Sequence, residues 1–317
     1  MKLQTQIPLK SQPNSIKYES DVFLMGSCFV ENIGEKLHFY KFKAEVNPFG
    51  IIFHPQAIET LLQRVISEKA YTEKDIFFWN ERWHCFEVHS NLSNVSKEEI
   101  LKNLNQTLKN TKRCVINSSH LIFTLGTAWG YELKETGHWV ANCHKVPQKA
   151  FQKKIASVPS IEKSINQMLE LTKKLNPDAT VIFTVSPVRH IKDGFVENQR
   201  SKAHLISAVQ NVLEKEKELN AHYFPSYELM MDELRDYRFY AEDMIHPNKT
   251  AVTYIWEKFK EVWISHTTEE TMKTVEQVQQ GMAHRPFNAE SNDYKKFQEK
   301  LQQKITYLSE KHPHIKF

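Results

Sequence analysis

The sequence predicts an α/β fold in which helices cover both faces of a parallel sheet. Short apolar runs typical of buried strands lie at Val22–Met25, His120–Leu125 and Thr180–Val185. Amphipathic helical patterns separate these runs, and strands that alternate with helices are typical of a parallel sheet. The chain has only eight glycines and lacks both G-x-G-x-x-G and G-x-x-x-x-G-K, which argues against the common nucleotide-binding folds.

The composition narrows the classes of function. Of 317 residues, 40% are apolar and 25% charged, enough for one large domain or two smaller ones. The net charge is only +4 and no basic block is present, so we expect no nucleic-acid partner. No apolar run approaches a membrane span, and the N-terminus lacks a signal-peptide core, so we expect no membrane partner. Four cysteines without a C-x-x-C pair indicate free thiols in a reducing compartment, so we expect a cytoplasmic location.

The turn after the first predicted strand is a candidate nucleophile site. Gly26 permits a tight turn after Val22–Met25, and apolar residues then recur every four positions over 29–37. Ser27 and Cys28 therefore lie at the start of a helix, where unpaired N–H groups and the helix dipole favour a developing anion. The alternative interpretation is structural: Ser27 caps the helix and Cys28 packs as a small apolar residue.

The remaining elements follow from periodicity and turn signals. Two aromatic runs around Asn80 predict a hairpin that is inserted beside the main sheet. The segment 127–147 is predicted as a loop region with a hairpin turn at 135–137, and a short strand is predicted near 222–224. The predicted helices begin at Pro55 and Ser96, cover 159–175 and 199–219, and follow Asn248.

We predict two domains, an α/β domain over residues 1–266 with a hairpin insertion near 75–90, and a helical tail over 267–317. The tail lies outside the strand–helix alternation, and its apolar stripe, Tyr294 to Leu308, is narrow. The stripe either docks on the body or pairs with a partner helix, which would give an oligomer. We therefore predict a separable tail, although the His284–Phe287 cluster could reach the mouth of a pocket.

Asp243 and His246 form a candidate catalytic pair just before the last helix of the body. A carboxylate that accepts from one imidazole nitrogen fixes the tautomer and leaves the other nitrogen free to act as a base. Residues three apart in a tight turn can meet in this way. Both residue types are also good helix caps, which is the structural alternative.

The turn Asn47–Gly50 is a candidate part of an oxyanion site. Gly50 could offer a backbone N–H to an oxyanion, as could the N–H of the nucleophile itself, and Asn47 opens the same turn. An ordinary turn is the alternative interpretation.

Four further residues are candidates for binding substrate. Thr127, Asn142 and His144 follow the strand that ends at residue 125, so they could line the same pocket. Arg189 ends another strand and could bind an anionic group, although a helix cap or a surface ion pair would explain it equally well. Cys143 and His144 have no second Cys/His pair at zinc spacing, so we expect no metal and no other cofactor.

These residues carry a resemblance to a known family. Gly26–Val30 resembles the signature that names the GSCFA family, a bacterial group placed with the SGNH/GDSL-like hydrolases. The resemblance spans roughly residues 20 to 265. Its other motifs are Asn47–Gly50, Leu125–Trp129, Ala141–Pro147, Ser186–His190 and Asp243–Pro247. It implies a flavodoxin-like three-layer α/β/α fold and a Ser-type esterase arrangement, with the nucleophile first and Asp-x-x-His last.

The nucleophile block departs from the wider SGNH pattern. The SGNH pattern has Gly-Asp-Ser at this point. A gap-free alignment with Val22–Phe29 places Ser27 at the Asp position and Cys28 at the position of the nucleophilic Ser. Ser27 takes the nucleophile position only if the alignment is shifted by one residue. A cysteine at a helix N-terminus should have a lowered pKa, which favours a thiolate nucleophile. We therefore favour Cys28 over Ser27.

The oxyanion block also departs from that pattern. The Gly-x-Asn-Asp block falls on Gly126–Trp129, so Ala128 replaces the oxyanion-hole Asn. Thr127 or Asn142 could supply the missing donor.

Three functions remain open at this stage. The first is an intracellular ester hydrolase or acyltransferase that acts on a small-molecule or glycan ester, for example an acetylated carbohydrate. The second is a ligand-binding module that kept the fold and lost the oxyanion hole, as Ala128 would indicate. The third is a phosphate site at the helix N-terminus formed by the Gly26–Cys28 and Asn47–Gly50 turns.

Overall fold

A computed structural model describes residues 4–215 and 220–317. In chain order the elements are β1 (Asp21–Gly26), α1 (Cys28–Phe39), β2 (Lys43–Val46), α2 (Pro55–Ser67), β3 (Phe77–Trp79), β4 (Arg82–His84), α3 (Lys97–Asn117), β5 (His120–Leu125), β6 (Trp129–Leu133), β7 (Trp139–Val140), β8 (Phe151–Ile155), α4 (Val158–Leu175), β9 (Thr180–Val185), α5 (Phe195–Lys215), β10 (Ala221–Phe224), α6 (Ser226–Glu228), α7 (Lys249–Trp263), α8 (Glu269–Ala283) and α9 (Asn292–Lys311). The end of the helix predicted over 199–219 lies outside the described residues.

The main sheet has five parallel strands in the order β2-β1-β5-β9-β10. This is the flavodoxin-like order, in which the chain adds β2 on one side of β1 and then crosses to the other side. The three apolar runs that predict buried strands form the central strands β1, β5 and β9. The predicted fold, a three-layer α/β/α sandwich with a parallel sheet and a helical C-terminal extension, is confirmed.

Alternate residues of each central strand enter two separate apolar clusters, one on each face of the sheet. On β1, Phe23 packs with α2, α3, α4 and α5, whereas Leu24 packs with α1, α7 and α8. On β5, Phe123 and Ile122 divide in the same way. Because side chains alternate across a strand, a sheet covered on both faces is apolar at successive positions.

Two small antiparallel units extend the body. Strands β3 and β4 form a hairpin around Asn80 and Glu81, which both have positive φ. Strand β6 pairs with β7 around Gly137 (φ 71°) within the segment 127–147, which the sequence predicts as a loop region, and on its other side with β8, which lies beyond that segment and is not predicted. The hairpin turn lies where the sequence predicts it.

The tail contacts both itself and the body. Helix α9 packs against α8, where a Cβ at Gly281 would lie 2.6 Å from the Leu301 side chain. Leu308 of α9 is fully buried in the apolar cluster that contains α1 and α7. After α9 the His312 ring stacks on Tyr18 with the ring centroids 4.7 Å apart. Across 4–215 and 220–317 we find no helix that is both long and apolar enough to cross a membrane.

Candidate active site at the carboxyl ends of the central strands

The ends of β1, β5 and β9 lie side by side and are tied by backbone hydrogen bonds. Ser27 N–H donates to Thr124 O at 3.0 Å, and Ser186 N–H donates to Leu125 O at 2.8 Å. The chain changes direction across the sheet between β1 and β5, and ligands of open α/β sheets bind outside the carboxyl ends of the strands at such a point. The residues that follow these strands therefore define the candidate site.

The turn between β1 and α1 requires glycine at position 26. Gly26 has φ +152°, and a Cβ there would lie 2.3 Å from Thr124 O. Its N–H donates to Asn47 Oδ1 at 2.9 Å, and its carbonyl accepts from Ile52 N–H at 3.1 Å. The turn that carries Ser27 and Cys28 is therefore held from both sides.

Ser27 and Cys28 have different environments. Ser27 is only 1% exposed, and its Oγ accepts from Phe29 N–H at 3.3 Å as the N-cap of α1. Cys28 is the first residue of the helix and is partly exposed. Of the two candidate nucleophiles, Cys28 is the more accessible, and Ser27 occupies the structural role that its position also predicts.

The prediction that the pKa of Cys28 is lowered is wrong. Burial, followed by the nearby charge of Glu31, raises the pKa of the Cys28 thiol above its usual value. The N–H groups of Cys28 and Phe29 and the charge of Lys202 act in the opposite direction but are outweighed. A helix N-terminus lowers a thiol pKa only if desolvation is smaller than the stabilisation of the thiolate, and here it is larger.

The structure brings Asp243 and His246 together. His246 Nδ1 lies 2.6 Å from Asp243 Oδ2, and Asp243 Oδ1 accepts the N–H groups of Ile245 at 2.9 Å and His246 at 3.0 Å. The backbone N–H of His246, then its imidazole and then the Ile245 N–H lower the pKa of Asp243 to about 2. The side chains of His246 and Asp243 are 49% and 45% exposed, so the pair lies on an accessible surface.

Arg189 holds the loop that carries this pair. Its N–H donates to Ile245 O at 3.1 Å and its Nη1 donates to Met244 O at 2.9 Å. The guanidinium also lies over three aromatic rings, those of Phe195, Tyr237 and Tyr240. Among the described residues these contacts place Arg189 as a brace between the end of β9 and the 243–246 loop, a role that the sequence analysis did not consider.

Sequence reasoning missed Lys202, which is 1% exposed. Its Nζ donates to Gly126 O at 2.6 Å and to Ser186 O at 2.7 Å, the residues that follow β5 and β9. Burial lowers the pKa of Lys202 to about 7, and the charge of Cys28 opposes this shift. In the sequence Lys202 stands three residues before Leu205, on the helix face that Leu205, Val209 and Val212 continue as apolar positions, and this signal could have identified it.

His190 connects these groups electrostatically. Burial, then the charges of Lys202 and His246, lower the pKa of His190 to about 3. Lys202 in turn acts on Cys28. Cys28, Lys202, His190 and His246 therefore belong to one electrostatic neighbourhood, although they come from four separate parts of the chain.

The prediction that Gly50 offers its N–H to an oxyanion is wrong. That N–H donates to Asn47 O at 2.7 Å, closing the turn after β2. Asn47 uses its side-chain oxygen to hold Gly26 N–H. The Asn47–Gly50 turn therefore supports the nucleophile turn from the neighbouring strand and has no free donor at Gly50.

Thr127, Asn142 and His144 line one cavity of about 440 Å³, whereas Ser27, Cys28, Asp243 and His246 are not among the described residues that line it. Phe53, His190, Trp129, Tyr131, Lys153 and Asp193 are also among its lining residues. The ring of Phe53 lies 5.4 Å from that of His190, so the cavity adjoins the electrostatic neighbourhood described above.

Of the two predicted side-chain donors in this cavity, Thr127 is already engaged. Thr127 Oγ1 shares a hydrogen bond with Ser201 Oγ at 2.8 Å and accepts Trp129 N–H at 3.0 Å. Asn142 Oδ1 accepts His144 N–H at 2.8 Å. The side-chain NH₂ group of Asn142 has no hydrogen-bond acceptor among the described residues.

His144 has a structural environment. Its Nε2 lies 2.7 Å from Cys85 O, and burial lowers its pKa to about 4. Its ring packs among those of Phe77, His84 and Phe86. Within 4–215 and 220–317, no three His, Cys, Asp or Glu side chains cluster closely enough to hold a metal ion.

Comparisons with known proteins identify a family. The family model described as "GSCFA family" matches residues 21–259, and "GSCFA domain protein, C-terminal domain" matches residues 275–317. No curated protein matches the chain.

Two solved structures are similar in overall architecture. One is the acetyl xylan esterase Est2A from the rumen bacterium Butyrivibrio proteoclasticus, with 9% identity, a TM-score of 0.42 and coverage of 77% of this chain and 64% of that one. The other is a carbohydrate esterase family 3 protein from Talaromyces cellulolyticus, with 10% identity, a TM-score of 0.37 and coverage of 81% and 99%. This chain spans less than two thirds of the length of the first.

Proposed function

This chain belongs to the GSCFA family, and we propose that it is an ester hydrolase or acyltransferase of the SGNH type. Cys28 is the nucleophile, His246 the general base and Asp243 the group that orients the imidazole. The observation that carries this proposal is the 2.6 Å contact between His246 Nδ1 and Asp243 Oδ2 on a loop braced against the end of β9. Such a contact fixes the tautomer and leaves Nε2 free to accept a proton.

The raised pKa of Cys28 makes the base necessary. Because the thiol is protonated near neutral pH, His246 Nε2 takes its proton as the sulfur attacks the ester carbonyl. The proton then passes from His246 to the departing alcohol oxygen, leaving a thioester on Cys28. Water, or an acceptor alcohol, attacks this thioester with the same imidazole as base, which releases the acid or the new ester and restores the thiol.

Charge on the carbonyl oxygen develops beside the first turn of α1. The leading N–H groups of a helix have no partner within the helix, and Cys28 is the first helical residue. Its N–H is therefore our candidate oxyanion donor, with the amide of Asn142 as the second. One such donor is worth about 2.7–4 kcal/mol of transition-state stabilisation.

The cavity beside the site supports an acylated carbohydrate as substrate. Its lining combines the rings of Phe53, Trp129 and Tyr131 with the polar side chain of Asn142. Aromatic faces pack on the apolar face of a sugar ring, while polar groups bind its hydroxyls, and ligand sites combine such surfaces.

All four cysteines are free, which supports our expectation of a reducing, cytoplasmic compartment.

A second candidate function is ligand binding without turnover. Ala128 stands where the resemblance expects the oxyanion Asn, and its N–H donates to Ser201 Oγ at 2.7 Å. Gly50 N–H is also engaged. These two observations favour a site that keeps its pocket and has lost part of its oxyanion hole.

Turnover of short-chain aryl esters and acetylated sugars tests the proposal. We expect His246→Ala to lower kcat/KM by about 10²–10⁴, the usual contribution of a general base. The matched control is His266→Ala, because His266 also pairs with a carboxylate three residues away, Glu269 at 2.9 Å, on an exposed surface. That control should keep full activity.

Labelling identifies the nucleophile. Iodoacetamide should label Cys28, and a fluorophosphonate should leave Ser27 unlabelled because its hydroxyl caps α1. Equal activity of wild type and His246→Ala, or inertness of both on every ester, would refute the enzymatic proposal. Thermal stabilisation by glycans without turnover would instead establish the binding module.

A further inference from the structure

We propose that Lys202 is a positioning residue of this site, whose ammonium ties together the ends of β5 and β9 and supplies positive charge to the Cys28 sulfur as it loses its proton. The proposal rests on the proposed function only for the role of Cys28.

The geometry places Lys202 at the point where the three central strands end. Its Nζ bridges Gly126 O at 2.6 Å and Ser186 O at 2.7 Å, so one ammonium binds the first residue after β5 and the first after β9. β5 is also the strand that pairs with β1, whose end carries Cys28. Thus Lys202 acts on the relative position of the three turns from which the site is built.

Packing alone does not explain a lysine at this position. Burying an ammonium is unfavourable unless it is paired and hydrogen-bonded, and an apolar side chain of similar length would fill the same space. Two carbonyl oxygens compensate part of this cost, and the ring of Tyr227, 5.6 Å from Nζ, compensates more. The remaining partner is Cys28, whose thiolate form stabilises the charge of Lys202.

The titratable groups around Lys202 and Cys28 determine the electrostatic environment of the thiol. Burial keeps His190 neutral near pH 7 by lowering its pKa to about 3, and burial raises the pKa of Tyr227, so that it too is neutral. Glu31 of α1 is negative and disfavours the thiolate of Cys28. Among these groups, Lys202 is the one that carries the opposite charge below its pKa of about 7, and in that form it favours the thiolate.

At and below its pKa of about 7 Lys202 is an ammonium, and this form keeps its proton throughout the reaction. Negative charge appears on sulfur as His246 accepts the thiol proton, and it moves to the carbonyl oxygen when the new bond forms. A fixed ammonium already held by two carbonyls favours this charge without any rearrangement of its own. No bond to Lys202 forms or breaks.

The test is the pH dependence of Cys28 alkylation by iodoacetamide, followed by mass spectrometry of its peptide. In Lys202→Met we expect the alkylation rate at pH 6, where the pKa of about 7 leaves Lys202 mostly charged, to fall at least about tenfold, because an opposite charge nearby shifts a pKa by 1–3 units. Lys202→Arg, which keeps the charge, should restore most of the rate. Lys109→Met, at an exposed lysine of α3, is the control and should match wild type.

Stability measurements separate the charge from a merely structural role. Lys202→Gln can donate to the same carbonyls without a charge, and it should alkylate as slowly as Lys202→Met while melting closer to wild type. An unchanged alkylation profile in either neutral variant with a lowered melting temperature would overturn the proposal, as would failure of both to fold. Because alkylation needs no turnover, a slowed profile in a protein without esterase activity would sustain this inference while refuting the proposed function.

Discussion

The attachment of the C-terminal tail can be tested by one buried side chain. Leu308 of α9 is fully buried in the cluster that also contains Leu37 and Phe42 of the body. The sequence predicts a tail that is separable from the body, whereas this burial indicates that the two are coupled in stability. The substitution Leu308→Ala removes the contact, and Tyr307→Ala, at a neighbouring residue that is 47% exposed, is the control.

The expected magnitude follows from the burial. Leu→Ala at a fully buried position costs about 2–5 kcal/mol, and the good helix propensity of alanine returns only a few tenths. An exposed substitution such as Tyr307→Ala should cost about 0.5 kcal/mol or less. With a urea m-value of ~3 kcal/mol/M, a loss of about 3 kcal/mol moves the midpoint by about 1 M.

Tryptophan fluorescence reports the unfolding of the body, because all six tryptophans precede residue 264, and these include Trp256 and Trp263 in the cluster that receives Leu308. Circular dichroism at 222 nm reports the helices of both parts. If the tail is coupled to the body, Leu308→Ala should move both transitions together by about 1 M urea. A fluorescence transition that stays at the wild-type midpoint while circular dichroism shows an earlier loss of helix would refute the coupling. It would support the separable tail.

Two further predictions concern the site. Gly26→Ala should lower the free energy of unfolding by about 3 kcal/mol or prevent folding, because its Cβ would meet the backbone of β5. The control is Gly137→Ala, at φ +71° in open space, which should lower it by about 1 kcal/mol. Urea unfolding of the two variants measures both effects. Lys202 has a pKa of about 7 folded and 10.5 unfolded, so the unfolded chain binds the extra proton between these values. The free energy of unfolding of wild type, minus that of Lys202→Met, should therefore rise by up to ~1.4 kcal/mol per pH unit between the two pKa values. A difference that does not change with pH would contradict the lowered pKa of the buried amine.

The fold was largely accessible from sequence because its strands are buried on both faces. Apolar runs such as Thr180–Val185 and the amphipathic helices between them are sufficient to predict a parallel sheet. The strand order came from the resemblance, since local patterns carry no information on which strands become neighbours. Strands β6 and β7 were predicted only as a loop region with one hairpin, and β8 was not predicted, because runs of two to five residues give too little periodicity to identify.

The site was accessible only where its parts are close in sequence. Asp243 and His246 are three residues apart, so a turn brings them together whatever the rest of the chain does. Lys202 meets Gly126 and Ser186 through the packing of α5 on the sheet, which no local pattern specifies.

The hydrogen-bond partner of Gly50 N–H could also be identified only from the structure. That N–H bonds within its own turn, to Asn47 O, and the sequence left both a free and an engaged N–H open. A glycine before an apolar run indicates a turn but does not say where the turn directs its donors.

The sign of the Cys28 pKa shift shows what a helix N-terminus does and does not supply. Its N–H groups and the ammonium of Lys202 favour the thiolate, while burial and Glu31 disfavour it, and the second pair is the stronger in the resting protein. The thiol therefore stays protonated until a base removes the proton. Under the proposed function, His246 is therefore a required partner, and the pH dependence of the reaction is a property of the coupled groups, with macroscopic pKa values that belong to no single residue.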